Sequence, residues 1–272
     1  GYSWQHFESQ GTNYSRNSDA TIVPDSTEYI KELFLVSFFG RLNYMLNEKY
    51  LLTVTLRDDG SSRFSEDNRW GLFPSVALAW KIKEEGFAKN VPNLSEMKLR
   101  LGYGVTGQQD IGDNFIDYYP YIATYITGEP TASYQFGDTF YPTLRPNPYD
   151  ASLKWETTTT YNVGLDYGFF DNRITGAIDY YFRETEDLIA FIPIAVGYNL
   201  SNYLKTNVGT LENKGIEFMI DVKPVVTKDV LWTIGYNVSY NRNEITKLTQ
   251  NNDPDFPGIP WGSDIGGGVG NK

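Results

Sequence analysis

Cysteine is absent from this chain and histidine occurs once, as His6. The first absence excludes a disulfide scaffold and any thiolate-held zinc or iron–sulfur centre. The second leaves a His-centred triad or zinc site without partners. Basic charge is also scarce, with 23 Lys and Arg against 34 Asp and Glu and a net charge of −11. No basic stripe is available to neutralise phosphates, so a nucleic-acid partner is not expected. Long apolar runs are missing too. The longest, Leu33 to Phe39, is interrupted by Ser37, far short of the roughly 18–20 apolar residues of a membrane-spanning helix. A membrane strand needs only about 9–11 residues with one apolar face, so a mean hydropathy of −0.41 does not count against a β-barrel.

What is present is alternation, backed by an aromatic content of 16% that is mostly Tyr and Phe. In Arg173 to Thr185 the even positions Ile174, Gly176, Ile178, Tyr180 and Phe182 face one way. Arg173, Thr175, Ala177, Asp179, Tyr181, Arg183 and Thr185 face the other. A period of two is the signature of a strand with one greasy and one wet face. Trp70 to Lys83 and Met97 to Thr106 repeat the pattern, as do Phe34 to Leu46, Tyr50 to Arg57, Leu153 to Gly168, Gly215 to Lys223 and Thr233 to Asn243. A weaker strand lies around Tyr2 to Phe7. The reading is all-β and antiparallel, about nine strands, with at most a turn near Leu94 to Met97.

A soluble, lectin-like sandwich also alternates. Three features favour a transmembrane barrel. Several strands run about 11–16 residues, against a usual 5–6 in soluble proteins. The polar faces carry small residues and charges (Lys154, Glu156, Asp166, Asp179, Glu217, Asp221), as a wet lumen would. Aromatics (Tyr44, Tyr50, Trp70, Trp80, Trp155, Tyr167, Trp232) sit near the ends of the apolar faces, where membrane girdles form. Connections then give direction. Asn47 to Lys49, Asp171–Asn172 and Pro224 to Asp229 are short and Glu84 to Glu96 is medium. Glu8 to Glu32, Asp58 to Arg69, Gln108 to Ser152 and Leu188 to Val208 are long, and the two classes alternate. Short turns belong to the periplasmic side and long loops to the outside. Any strand inside Gln108 to Ser152 must therefore come in pairs, with Tyr118 to Thr127 and Ser133 to Phe140 as candidates.

Tempting motifs resolve against this pattern. Gly102-x-Gly104-x-x-Gly107 has the dinucleotide spacing, but the glycines lie along a strand and no helix follows. Ser95-x-x-Lys98 lacks the partner motifs of penicillin-recognising enzymes. The pairs Asp58-Asp59 and Glu84-Glu85 are adjacent rather than facing, and Asp253-x-Asp255 is too sparse for a calcium loop. No catalytic residue, metal ligand or cofactor is assigned. The loop aromatics are the better candidates, because tyrosine rings stack on sugar faces and pack on peptides. Tyr119, Tyr121, Tyr134, Tyr141, Tyr198 and Tyr203 are the expected substrate-contacting set.

Several runs also resemble a known family. They include Phe38-Phe39-Gly40-Arg41-Leu42-Asn43-Tyr44, Asp59-Gly60-Ser61-Ser62-Arg63-Phe64, Asn68-Arg69-Trp70-Gly71-Leu72-Phe73-Pro74-Ser75 and Leu101-Gly102-Tyr103-Gly104-Val105-Thr106-Gly107-Gln108, with Leu153-Lys154-Trp155-Glu156-Thr157 and Lys214-Gly215-Ile216-Glu217 further on. Together they resemble SusC/RagA-like TonB-dependent outer-membrane transporters along nearly the whole chain. The resemblance implies a plugged barrel of about 22 strands that imports oligosaccharides or peptides. Its implied partners are a SusD-like surface lipoprotein, the TonB complex and outer-membrane lipid. Residues 1–272 are then expected to be part of one barrel domain. The plug, the TonB-contacting segment, the first strands and the last strands are expected to lie outside this chain, since about nine strands cannot close alone. The alternative of another class is a passive porin- or adhesin-type barrel.

Overall fold

A computed structural model describes residues 2–11, 14–16, 22–24, 29–112, 118–127, 133–194 and 203–247. Its framework is a nine-stranded antiparallel sheet. In chain order the strands are β1 (Tyr2–Gly11), β2 (Tyr29–Leu46), β3 (Tyr50–Ser61), β4 (Trp70–Lys81), β5 (Leu94–Gln108), β6 (Glu156–Phe169), β7 (Ile174–Glu186), β8 (Thr210–Val226) and β9 (Leu231–Lys247). Each pairs with the next. The row Trp80, Leu99, Leu165, Ile178, Phe218, Val238 crosses six strands in register. It begins beside the end of β4 and finishes in the middle of β9, so the strands are staggered, as a barrel wall requires.

Burial separates barrel from sandwich. A globular monomer of 31.0 kDa exposes about 12,000 Å², whereas this chain exposes 19083 Å². The apolar face contributes to that excess. Phe38, Leu42, Tyr44, Leu72, Tyr161 and Ile234 are all exposed and share one side of the sheet. A sandwich would bury that face against a second sheet; a barrel presents it to lipid.

The turns follow the expected parity. Leu46 to Lys49 closes with a bond from the Lys49 amide to the Leu46 carbonyl, with φ of 52° and 58° at Asn47 and Glu48. Positive φ at both central residues is the hairpin turn whose twist matches its strands. Phe170, Asp171 and Asn172 do the same between β6 and β7, and Thr227 to Val230 joins β8 to β9. The expected turn near Leu94 to Met97 is strand. The helical turns lie earlier, at Ile82–Glu84 and Gly86–Lys89.

Inside the long 109–155 connection strands do come in pairs, but Ser133–Phe136 pairs with Thr139–Pro142, and Tyr125–Thr127 with Leu144–Pro146. The anticipated partners 118–127 and 133–140 do not face each other. The Gly137–Asp138 turn, with Gly137 at φ 64°, is tight enough to close the inner hairpin locally.

Candidate functional site

Among the described residues three regions carry the polar chemistry: the inward wall of the sheet, the loops at its outer end and a cluster at the opposite rim. On the wall, odd positions of β2, β3, β4, β7, β8 and β9 and even positions of β5 and β6 share the inner face. Its groups are matched across strands. Arg57 is 2.8 Å from Asp59 and donates to Ser37 at 3.1 Å, Arg41 donates to Thr55, and Thr53 donates to Asn43. Further round, Arg100 bridges Asp166 and Asp179, each at 2.8 Å, while Lys98 holds Asp166 at 2.6 Å. This ties β5, β6 and β7 together by side chains as well as backbone. A planar guanidinium can serve two carboxylates at once in a way that an ammonium cannot.

Gly164 is the floor under this bridge. A Cβ there would collide with Asp179 and come within 2.7 Å of the Arg100 guanidinium. Gly164→Val is expected to cost about 1–3 kcal/mol by overpacking. Chemical unfolding of the full-length protein in micelles checks this; an unchanged midpoint contradicts the placement of Arg100.

At the outer end the loops have a core of their own, formed by Phe64, Phe73, Ile111, Leu153 and Trp155. Trp155 packs on Phe64 at 5.3 Å and edge-on to Phe73 at 5.4 Å, and its indole N–H donates to the Arg69 carbonyl at 2.9 Å. It is therefore not a lipid-facing girdle residue. It precedes β6, where strand alternation has not begun, and only 6% of it is exposed. The cluster sits where the sheet forks. The β4–β5 ladder covers Ser75 to Lys81 and stops at Pro74, which has no N–H to donate. The Phe73 ring then occupies space that a Cβ on Gly107 would need, and a Cβ on Gly71 would come within 2.5 Å of the same ring.

Polar bonds lash three loops around this core. Thr206 donates to Asp150 at 2.5 Å, Ser65 to the Ala151 carbonyl, and Lys205 to the Ile111 carbonyl at 2.6 Å. The Asn207 amide bonds both the N–H and carbonyl of Lys154 and the carbonyl of Asp187. Buried Arg63 pairs with Asp110 at 3.0 Å and lies over the Tyr118 ring. The loops thus form a collar.

The expected tyrosines distribute unevenly on it. Tyr134 and Tyr141 are register partners on the inner hairpin, with Phe136 two residues along the same face, and all three are exposed. Tyr203 stacks on Phe191 at 5.1 Å and 14° across a second hairpin, Ile189–Pro193 with Tyr203–Asn207. Tyr119 receives the Glu32 amide at 3.3 Å, and Tyr121 is half-buried. Tyr198 lies outside the described residues, as do Asp253 and Asp255. The structure therefore gathers Tyr134 and Tyr141 on one hairpin, while Tyr119, Tyr121 and Tyr203 stand on other segments. Phe191 and Arg100 are additions that sequence reading missed. Apolar–polar alternation is too short around Phe191, and which strand opposes Arg100 depends on pairing across the 109–155 loop.

At the opposite rim the polar cluster centres on Glu85. Tyr50 and Trp80 are stacked register partners on the outward face. The Tyr50 hydroxyl (2.6 Å) and the Trp80 indole (3.1 Å) both donate to one oxygen of Glu85, while Lys49 holds the other at 3.0 Å. Those bonds, the Tyr50 hydroxyl first, hold the Glu85 carboxyl down at about 2. A folded value below the unfolded one means stability present above about pH 4.5 and lost as pH falls toward 2. The thermal-midpoint advantage over Glu85→Gln is expected to shrink across that window; a constant difference contradicts the clamp.

Residues 1–263 match the family described as TonB dependent receptor-like, beta-barrel. The chain is 52% identical over 259 residues to the TonB-dependent receptor SusC of Bacteroides thetaiotaomicron, covering 93% of this chain and 25% of that protein. It is 34% identical over 265 residues to TonB-dependent receptor P3 of Formosa agariphila, covering 93% of this chain and 26% of that one. Among solved structures it resembles that of the RagAB peptide transporter, with a TM-score of 0.70 and 27% identity over 86% of this chain and 24% of that one. The chain spans about a quarter of the length of the relatives it matches.

Proposed function

Because this chain belongs to the TonB-dependent receptor-like β-barrel family, and is thereby part of an outer-membrane barrel of a Gram-negative bacterium, we propose that it supplies wall and mouth to an energised importer. The cargo is an oligosaccharide or a peptide. The observation that carries this reading is the collar, where polar bonds tie three loops together and the longest of them carries a hairpin with the exposed Tyr134, Phe136 and Tyr141 face. Rings held side by side offer stacking surface to either cargo at little entropic cost. Working partners on this reading are a SusD-like surface lipoprotein over the mouth and the TonB complex below.

The test is uptake of labelled oligosaccharides and peptides by cells carrying or lacking the full gene, with and without TonB. Loss of uptake in both deletions supports an importer. Uptake that survives TonB removal points to a passive porin instead. Tyr134→Ala with Tyr141→Ala is expected to weaken cargo capture by about 2- to 10-fold per ring, taking roughly 0.5–1.5 kcal/mol for each aromatic contact. Surface abundance should stay unchanged, and wild-type affinity in the double variant would remove these rings from the site.

A further inference from the structure

The connection between β4 and β5 is unusually well built for a periplasmic link. Glu85 accepts the Ala88 and Lys89 amides on its carbonyl while its carboxylate takes Lys49, Tyr50 and Trp80. Lys83 closes the other end, donating to the carbonyls of Ala88, Lys89 and Val91 at 3.0–3.3 Å. Ala88 is 3% exposed. Yet the residue beside it, Phe87, is 72% exposed, the highest value among the large apolar residues described, and Val91 is exposed too. Phe87 and Val91 thus leave two apolar side chains exposed on a segment whose backbone is fixed.

The position of Glu85 says what covers that ring. Tyr50 and Trp80 are on the outward, lipid-facing side of the sheet, and both aim their polar tips at Glu85. The carboxylate therefore sits on the outer perimeter of the rim, not beneath the lumen. Gly86–Lys89, which carries Phe87, follows Glu85 directly in sequence. Lys83 and Lys89 set cations near Phe87, balanced by Glu84 and by Glu85, which is paired with Lys49. Aromatic rings with cationic neighbours are what the headgroup region accepts.

We infer that the 82–91 segment is a membrane foot, in which Phe87 and Val91 dip into the periplasmic leaflet of the phospholipid bilayer and Glu85 fixes the depth. The foot would anchor this side of the barrel at a set height. It is independent of cargo and of energy coupling.

The experiment uses the full-length protein in vesicles of phosphatidylethanolamine and phosphatidylglycerol, with a nitroxide label on Phe87→Cys. This chain has no cysteine of its own, and any elsewhere in the protein is replaced. Collision with oxygen, which partitions into lipid, is compared with collision with a water-soluble nickel chelate. Ile178→Cys serves as the lipid reference, and Lys228→Cys, on the β8–β9 turn, as the water reference. The foot requires an oxygen-to-nickel ratio at position 87 several-fold above that at 228. A ratio equal to that at 228 overturns it, and protection from both probes overturns it in favour of a protein partner. A water-like ratio at 178 would instead reject the membrane placement of the strand. Adding Glu85→Ala should move the label at 87 toward the water value; no shift removes Glu85 from the role of setting depth.

Discussion

Ile178→Arg is expected to cost the folded barrel about 2–4 kcal/mol, enough to remove a large part of the stability of an ordinary domain. Ile178 stands in the outward row between Leu165 and Phe218, with lipid as its only solvent. Val76→Arg, also on the outward face, should cost a similar amount. Ala77→Arg should cost less, because its neighbour in sequence turns the side chain to the wet wall opposite Thr53 and Gly102. Urea unfolding of the full-length protein in liposomes compares the three. Equal losses at positions 76 and 77 would reject the assignment of faces on which the barrel reading stands.

Trp155→Ala is expected to cost about 3–5 kcal/mol, the range for removing a buried tryptophan from a core that cannot collapse around the gap. Phe64 and Phe73 pack on two sides of the indole, and Leu153 shares the cluster. Trp155→Phe keeps a ring but removes the indole donor to the Arg69 carbonyl, which retains the Ser61 amide, a loss of about 1 kcal/mol. Limited proteolysis offers a second readout, since the alanine variant should expose the 109–155 and 187–209 loops to cleavage while the strands stay protected. A collar as resistant as wild type would show that polar ties alone hold it.

The framework was legible because a barrel strand obeys one rule along its whole length. Ile178 and Asp179, Val76 and Ala77, or Phe38 and Ser37 declare opposite faces by position alone. Turn chemistry at Asn47 and Asp171–Asn172 gave the strand ends. What did not read out was whatever depends on two distant segments meeting. Trp155 continues the parity of β6 and so resembles a lipid-facing residue, yet tertiary packing with Phe64 and Phe73 claims it. The partner of Ser133–Phe136 is decided by a four-residue turn rather than by hydrophobic pattern. Glu85, next to Glu84 in sequence, looked like one acid among many; its neighbours Tyr50 and Trp80 arrive from two other segments. Of the candidate tyrosines, alternation within the loop could have paired Tyr134 with Tyr141 once the Gly137 turn was recognised. Nothing local marks Tyr119 as occupied by the Glu32 amide.

Pairing every long strand with its neighbour in sequence has a kinetic consequence. Chains whose contacts are local find them quickly, and here most neighbours are joined by a tight turn or a modest link. The longest join, between β5 and β6, must wait for the 109–155 segment to bring its ends together. Loop entropy grows only logarithmically, so this closure costs roughly 2–3 kcal/mol more than the Asn47–Lys49 turn. Ile111, Leu153 and Trp155 lie within that same segment and bury themselves against Phe64 and Phe73 as the ends meet. The slow step of assembly therefore carries its own latch: two curved hairpin stacks, β2 to β5 and β6 to β9, would form separately and snap together at the collar.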